Sequence, residues 1–286
     1  MENYEARLDM LLSAWRCPVC ASPLQMQQGI GAGQLCCLGA RVHTFDLSRS
    51  GYVHLSPRHS GGGDSKEAVR ARTAFLSVGY YEVAARTLCE LLCAHVQGPL
   101  VVDAGCGEGY YTNQMALCAP DRFLVCGFDL SKDAVDAAAK AAKRSGACAR
   151  YAVASVFELP MRDGSADAVV NVFAPCAEAE FCRVLRPDGV LILVGAGERH
   201  LLGLKKAIYD QTYENTARAD LPQNMELCEQ KIVRDRICVK GTEHIQQLFS
   251  MTPYYWRTSP ADKQKLARLD TLESEIEFDF RVYRKK

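Results

Sequence analysis

The amino-acid sequence predicts an α/β protein built on a mostly parallel sheet, preceded by a small domain that needs a metal to hold its shape. Three observations carry this expectation. From Leu100 onward, short apolar runs alternate with helical segments, the pattern of parallel strands joined by crossover helices. One of those strands runs into a glycine-rich loop at Gly105, Gly107 and Gly109. Upstream, CPVC at 17–20 is followed by Cys36, Cys37 and His43, in a stretch too short to bury a core of its own.

Composition sets the outer limits. A chain of 286 residues, 48% apolar, has room for one large domain and one small one. It contains no apolar run long enough to cross a membrane, and its first fifteen residues carry Glu2, Glu5 and Asp9 where a signal peptide would want basic residues, so a cytoplasmic location is expected. Fourteen cysteines would suit a secreted disulfide scaffold, but Cys89, Cys93, Cys126 and Cys182 sit singly in apolar segments and read as small buried hydrophobes. Thirty-four acidic and 34 basic side chains cancel, so no global field announces a nucleic-acid partner. Arg16, Arg41, Arg49 and Arg58 face Asp46 alone, which suits phosphate contact or an ordinary solvated surface about equally.

In chain order, Leu8, Leu11, Leu12 and Trp15 form one face of an N-terminal amphipathic segment expected to pack on the body of the protein. The glycine-rich stretch SGGGDS at 60–65 marks the linker, dividing residues 1–59 from residues 60–286. Helical spacing follows in SKEAVRARTAFL and YYEVAARTLCELLCAHV. Strands are expected at LVVDA (100–104), FLVCGFD (123–129), RYAVA (150–154), DAVVNVF (167–173) and VLILVG (190–195), each apolar enough to be covered on both faces. Between them lie helices over Tyr110–Ala119, Lys132–Ser145 and Glu178–Leu185, the last stopped by Pro187 and Gly189. The tail IEFDFRVY alternates strictly and reads as a late antiparallel strand.

The cysteine cluster fits a structural zinc. Two thiolates from the CPVC turn, a third cysteine and His43 fill a tetrahedron, leaving no open position for catalysis. A redox pair is the competing reading, but that would want an adjoining βαβ unit. Spacing leaves Cys36 and Cys37 both open as the third ligand. Cys37 is favoured because it shortens the loop to His43, whereas strand alternation could aim Cys36 inward.

The glycine loop is the strongest signal. LVVDAGCGEGYYT is a buried strand ending in Asp103, followed by glycines that let backbone approach a ligand closely. Its spacing is G-x-G-x-G; the dinucleotide fingerprint, which seats a pyrophosphate, is G-x-G-x-x-G. A carboxylate at the start of the loop suits an ammonium-bearing ligand such as S-adenosylmethionine better than an anionic one. Asp129, ending the next strand, stands where it can accept hydrogen bonds from ribose hydroxyls, or cap the helix that follows. Ala154 and Ser155 end the third strand, where adenine would lie, and NVFAPC ends the fourth, where a methyl group would be handed over. Asn171 is a candidate acceptor for a base edge, with a strand cap as its alternative, and Phe173 a candidate stacking platform, with core packing as its alternative.

These motifs together resemble the bacterial 23S ribosomal RNA guanine-N1 methyltransferases. The similar features run almost end to end: CPVC with HTFDLSRSGYVHL at 43–55, ARTAFLSVGYY at 71–81, DAGCGEGYYT, FAPC at 173–176, ERHL at 198–201 and MTPYYWR at 251–257. The resemblance implies a Rossmann-like class I methyltransferase domain over residues 60–286 behind a small zinc-binding domain over residues 1–59, the latter expected to recognise the RNA by clamping a hairpin. It also implies S-adenosylmethionine as methyl donor and a guanine in a 23S ribosomal RNA hairpin loop as acceptor. Zinc ligands at Cys17, Cys20, one of Cys36 and Cys37, and His43 come with it, as do donor contacts from Tyr81, Gly107, Glu108 and His200. A homodimer is compatible with it, and so is a role either in ribosome maturation or in macrolide resistance. The alternatives are a methyltransferase for a small molecule or protein, a nicotinamide-dependent oxidoreductase, and a non-catalytic zinc protein that binds RNA.

Overall fold

The computed structural model describes residues 7, 10–27, 33–56, 63–212, 214–216 and 222–286. Leu8 of the N-terminal segment, Arg58, and the linker residues Ser60 to Gly62 with the expected domain boundary lie outside the described residues. The N-terminal part forms a three-stranded antiparallel sheet of β1 (Leu24–Gln27), β2 (Gln34–Cys37) and β3 (Thr44–Asp46), in that order. A short β4 (Val53–His54) then pairs in parallel with β7 (Ala149–Val153), at the edge of the main sheet.

The main sheet has eight strands in the order β10-β11-β9-β8-β5-β6-β7-β4. Here β5 is Leu100–Ala104, β6 Leu124–Asp129, β8 Ala166–Val172, β9 Leu185–Ala196, β10 Met225–Lys240 and β11 Thr271–Lys285. Only β11 runs against the rest, pairing antiparallel with both β9 and β10. Crossover helices cover both faces: α1 (Lys66–Ser77), α2 (Glu82–His95), α3 (Tyr110–Cys118), α4 (Lys132–Ser145), α5 (Glu178–Val184), α6 (Leu202–Ile208), α7 (Thr242–Ser250) and α8 (Pro260–Leu266). Sequence order reverses between β5 and β8, so the crevice at their carboxyl ends is where a ligand is expected in such a sheet.

Strand alternation divides the core cleanly. Val101, Val125, Val170 and Ile192 point to one face, which carries the larger cluster with Leu88, Leu92 and Met115. Val102, Cys126, Phe128, Val169 and Leu191 point to the other, and there the N-terminal part supplies Leu11, Leu12, Trp15, Leu24, Leu35 and Cys37. Trp15 is 1% exposed and packs its ring 5.3 Å from that of Phe128. Backbone hydrogen bonds from Arg16 to Pro160 and from Arg162 to Ala14 fasten the seam. The small domain therefore completes the core of the large one.

Several sequence expectations shift in detail. Pro187 and Gly189 fall inside β9, because the register slips between Ala166 and Ala168 of its partner and leaves room for Arg186 to Asp188 to bulge. Of the cysteines expected to be buried, Cys126 is, whereas Cys89, Cys93 and Cys182 are half-buried. Arg16 is ion-paired with Asp163 at 3.3 Å. Among the described residues no helix is long and apolar enough to cross a membrane.

Candidate donor site and metal centre

The metal centre is built by two turns. In the first, Ala21 adopts φ 59° and returns its N–H to the Cys17 carbonyl at 2.9 Å, which folds the two thiols of CPVC toward one point. The second runs from Cys37 to His43, whose backbone N–H donates to the Cys37 sulfur at 3.1 Å. Gly39 closes it: a Cβ there would lie 2.9 Å from Ser22 Oγ and 3.1 Å from Cys20 Sγ.

Side-chain ligand atoms of Cys17, Cys20, Cys37 and His43 all lie within 4.8 Å of one another. Cys20 Sγ is 3.6 Å from Cys37 Sγ, and His43 Nδ1 is 3.4 Å from Cys37 Sγ and 3.6 Å from Cys17 Sγ. Tetrahedral zinc with ordinary Zn–S and Zn–N bonds sets ligand separations of about 3.5–3.8 Å; these three separations are close to that spacing and the whole set lies within 4.8 Å, so the donor set suits that ion after a small closing movement. Cys36 points elsewhere and bonds Gln27 Oε1 at 2.9 Å.

The donor loop starts at Asp103, 1% exposed at the end of β5. One carboxylate oxygen accepts from Thr112 Oγ1 at 2.6 Å, while the other is buried without a partner. Burial pushes the Asp103 carboxyl up to about 7, against the pull of the Thr112 hydrogen bond. Two glycines then do what no other residue can. Gly105 (φ 90°) leaves 2.4 Å between a notional Cβ and the Cβ of Ala174, and Gly109 (φ 79°) packs where a Cβ would meet Ala138 Cβ at 2.7 Å and Tyr151 Oη at 2.8 Å. The loop thus passes from β5 into α3 under direct contact from two other elements.

Asp129 ends β6 and accepts the Gly107 N–H at 3.0 Å and the Ser131 N–H at 2.8 Å, so it ties the loop to the neighbouring strand. Burial raises its carboxyl above the usual range. The N-cap of α4 is Ser131 itself, whose Oγ accepts from Ala134. Glu108, 7% exposed, is clamped by Arg72 Nε of α1, and the same guanidinium pairs with Asp64. Burial works to lower the Arg72 pKa, but the Glu108 and Asp64 carboxylates more than offset it. Arg72 and Asp64 went unnoticed in the sequence, where an arginine on a helix face and an acidic residue in a linker look like solvated charge.

Tyr81 and His200 meet across the molecule. Tyr81 precedes α2 and His200 lies between β9 and α6, yet Tyr81 Oη is 3.2 Å from His200 Nε2. Burial pushes His200 down to about 4, so it is neutral at physiological pH. Its Nδ1 accepts the Glu277 backbone N–H at 3.2 Å, which places the ring proton on Nε2 and makes that atom the donor to Tyr81. The Tyr81 hydroxyl therefore keeps its own proton to give. Tyr111 contributes a further buried hydroxyl without a partner, close enough to Tyr81, Glu108 and Asp103 for their charges to act on it after burial has raised its pKa.

The loop after β8 is braced by Asn171. This residue is fully buried and its Nδ2 donates to the Ala104 carbonyl at 2.8 Å and to the Pro175 carbonyl at 3.2 Å. Asn171 thus sets the shape of the loop through its Nδ2, while its Oδ1, the acceptor considered for a base edge, is buried without a hydrogen-bond partner. Phe173, by contrast, is 48% exposed with φ 53°, and lies beside His200 (5.6 Å between ring centroids) and Phe278 (6.0 Å). A non-glycine residue held in that backbone region stores strain of about 1–2 kcal/mol, which marks the position as one where side-chain placement matters.

Comparison with known proteins decides the family. Residues 101–189 match the family described as "Methyltransferase domain", and residues 15–60 match "RlmA, N-terminal". A Bacillus subtilis (strain 168) protein provisionally named 23S rRNA (guanine-N(1)-)-methyltransferase is 33% identical over 269 residues, 90% of this chain and 91% of its own. The chain belongs to the 23S rRNA (guanine-N1)-methyltransferase family. Another member, the 23S rRNA (guanine(748)-N(1))-methyltransferase of Streptomyces fradiae, is 37% identical over 198 residues, covering 68% of this chain and 67% of that one. Among solved structures, the YcgJ protein of Bacillus subtilis aligns over 72% of this chain and 99% of its own with 15% identity and a TM-score of 0.49. The family membership gives a methyltransferase with a class I domain, S-adenosylmethionine as its methyl donor, and a structural zinc in the N-terminal ribbon.

That donor fits the residues present. It is a cation with a free ammonium, and Asp103 offers an unpaired buried carboxylate oxygen. The loop that follows Asp103 is held in shape by packed neighbours, Ala174 at Gly105 and Ala138 with Tyr151 at Gly109, where a Cβ would have no room.

Proposed function

We propose that this protein transfers a methyl group from S-adenosylmethionine to N1 of a guanine in a hairpin loop of 23S ribosomal RNA, in the cytoplasm. The similarity to proteins named for that reaction, at 33–37% identity along most of the chain, carries the reading.

In this reading Asp103 takes the ammonium of the donor, Gly105, Gly107 and Glu108 line its path, and Asp129 uses remaining lone pairs on the ribose hydroxyls. Tyr81, oriented by His200, gives its hydroxyl proton to the donor's carboxylate. Cys17, Cys20, Cys37 and His43 hold the zinc, which shapes the ribbon and takes no part in chemistry.

When bound, the donor supplies an electrophilic methyl carbon on a positively charged sulfur. Guanine N1 forms the new N–C bond as the S–C bond breaks, the bond pair stays on sulfur as a neutral thioether, and the N1 proton leaves to solvent. Since charge is consumed in the transition state, the protein's contribution is alignment and exclusion of water. A guanine reaches the crevice only from a loop or by leaving its stack. In this reading Phe173 stacks on it, supported by its exposure and its position beside His200. The test is transfer of tritium from labelled donor to deproteinised ribosomal RNA, followed by mass spectrometry of the modified nucleoside. Label appearing in 1-methylguanosine is the expected result, and label appearing only in small-molecule or protein fractions would refute the reading.

A further inference from the structure

Trp256 is 79% exposed, more than any other large hydrophobic side chain among the described residues. It stands on a hydrogen-bonded turn. Between α7 and α8, the Thr252, Tyr255, Arg257 and Thr258 N–H groups each close on a carbonyl three or four residues back. Thr258 Oγ1 donates to the Tyr254 carbonyl at 2.8 Å and lies 2.7 Å from Tyr209 Oη. Tyr255 packs edge-on against Phe249 at 5.1 Å and meets the indole edge-on at 5.0 Å, so the indole is propped from below and its outer face is left free.

The surroundings are cationic. Lys263 Nζ lies 4.2 Å over the Tyr255 ring, and Arg257 follows Trp256 in the chain and is exposed; neither makes an ion pair among the described residues.

We propose that Trp256 is a stacking platform for an unpaired base of the RNA substrate, with Arg257 and Lys263 taking the adjoining phosphates. An aromatic face beside unpaired cations is the combination that binds single-stranded nucleic acid without reading its sequence. The inference rests on the RNA reading of the preceding section and extends it from the reacting guanine to a second nucleotide of the loop.

The chain contains two tryptophans, and the other, Trp15, is buried. Titrating the zinc-loaded protein with a synthetic 23S hairpin RNA should therefore quench and shift the exposed indole's emission. Trp256→Ala should weaken the RNA by about 5- to 100-fold, while S-adenosylmethionine affinity and Tm stay as in the unmodified protein, and Trp256→Phe should recover part of the loss. If Trp256→Ala binds the hairpin as tightly as the parent, the platform is refuted and the RNA reading survives. If the parent binds no RNA, both fall. If Trp256→Ala instead converts a dimer to a monomer on size exclusion without changing RNA affinity, the indole is a contact between copies of the chain and the proposal is overturned.

Discussion

The zinc ribbon and the donor loop both gather polar side chains at a turn, but they are held in place by opposite means. In the ribbon, Cys17, Cys20, Cys37 and His43 sit on two turns beside three short strands, and the apolar residues there, Trp15, Leu24 and Leu35, are buried in one cluster with residues of the main sheet. In the donor loop, every position is set by packed neighbours: Ala174 over Gly105, Ala138 and Tyr151 over Gly109, Arg72 on Glu108. The ribbon thus needs an ion to keep four ligands together, whereas the loop is formed before its ligand arrives. Metal loss and loop substitution should therefore fail differently.

The largest effect is expected from Cys37→Ser. Zinc binding in small modules contributes about 10–16 kcal/mol to their folding, so loss of one ligand should release the metal and unfold the ribbon. Because the ribbon covers Phe128, Leu159 and Met161, the unfolding should reach the main sheet. Thermal unfolding should show a Tm lower by about 10 °C or more, taking about 2–4 °C per kcal/mol for a domain of this size. A metal chelator should reproduce the shift in the parent. An unchanged Tm with stoichiometric loss of zinc would show that the ribbon stands unaided. Deleting residues 1–58 is a blunter test, since it also strips Leu11, Trp15, Val53 and Leu55 from the core.

Gly109→Ala should come next, costing about 2–4 kcal/mol in urea denaturation. It combines a positive φ with a Cβ placed 2.7 Å from Ala138. Donor binding should be lost while the zinc stays bound, the reverse of the Cys37→Ser pattern. Retained donor affinity would mean that the loop adapts to its ligand.

The pH dependence of Asp103 sharpens the same contrast. Its folded pKa, about 7, lies above the unfolded value, so between about pH 4 and 7 the native state holds the extra proton. Stability without donor should fall as pH rises through that window, and level off above 7. Binding of the cationic donor should change in the opposite sense, weakening by up to about tenfold per unit as pH drops below 7. Asp103→Asn should flatten both curves; a donor affinity independent of pH in the parent would remove Asp103 from the ammonium site.

Much of this was legible from sequence because it is local. The strands from β5 to β8, the Asp103 and Asp129 strand ends and the tail strand β11 follow from short apolar runs rich in Val and from strict alternation in the tail, and the comparisons bear out the class I fold they add up to. What escaped needed three dimensions. β10 is sixteen residues long, but MELCEQKIVRDRICVK reads as mixed charge because the strand lies at the edge of the sheet with much of its length exposed. Tyr81 and His200 were each named from the family resemblance, but they are 119 positions apart and their contact with one another was not legible. Arg72 became significant only once the fold set a buried Glu108 beside it.

Tyr81→Phe is the mildest of the tests and the most specific. It deletes one oxygen from a side chain whose residue is 4% exposed and leaves the ring contacts with Phe75 and Phe278 in place. Without donor, the change strands the His200 Nε2 proton but also relieves the burial of a hydroxyl with its own proton unused, so stability should move by no more than about 1 kcal/mol. With donor, the lost hydrogen bond has nothing to offset it, and affinity should fall by about three- to tenfold. His200→Ala should weaken the donor by a similar factor, because the hydroxyl it orients is then free to turn away, and the double variant should be no worse than either single one. Additive losses would show that the two residues contact the ligand separately, and that the tautomer held by the Glu277 amide has no bearing on donor recognition.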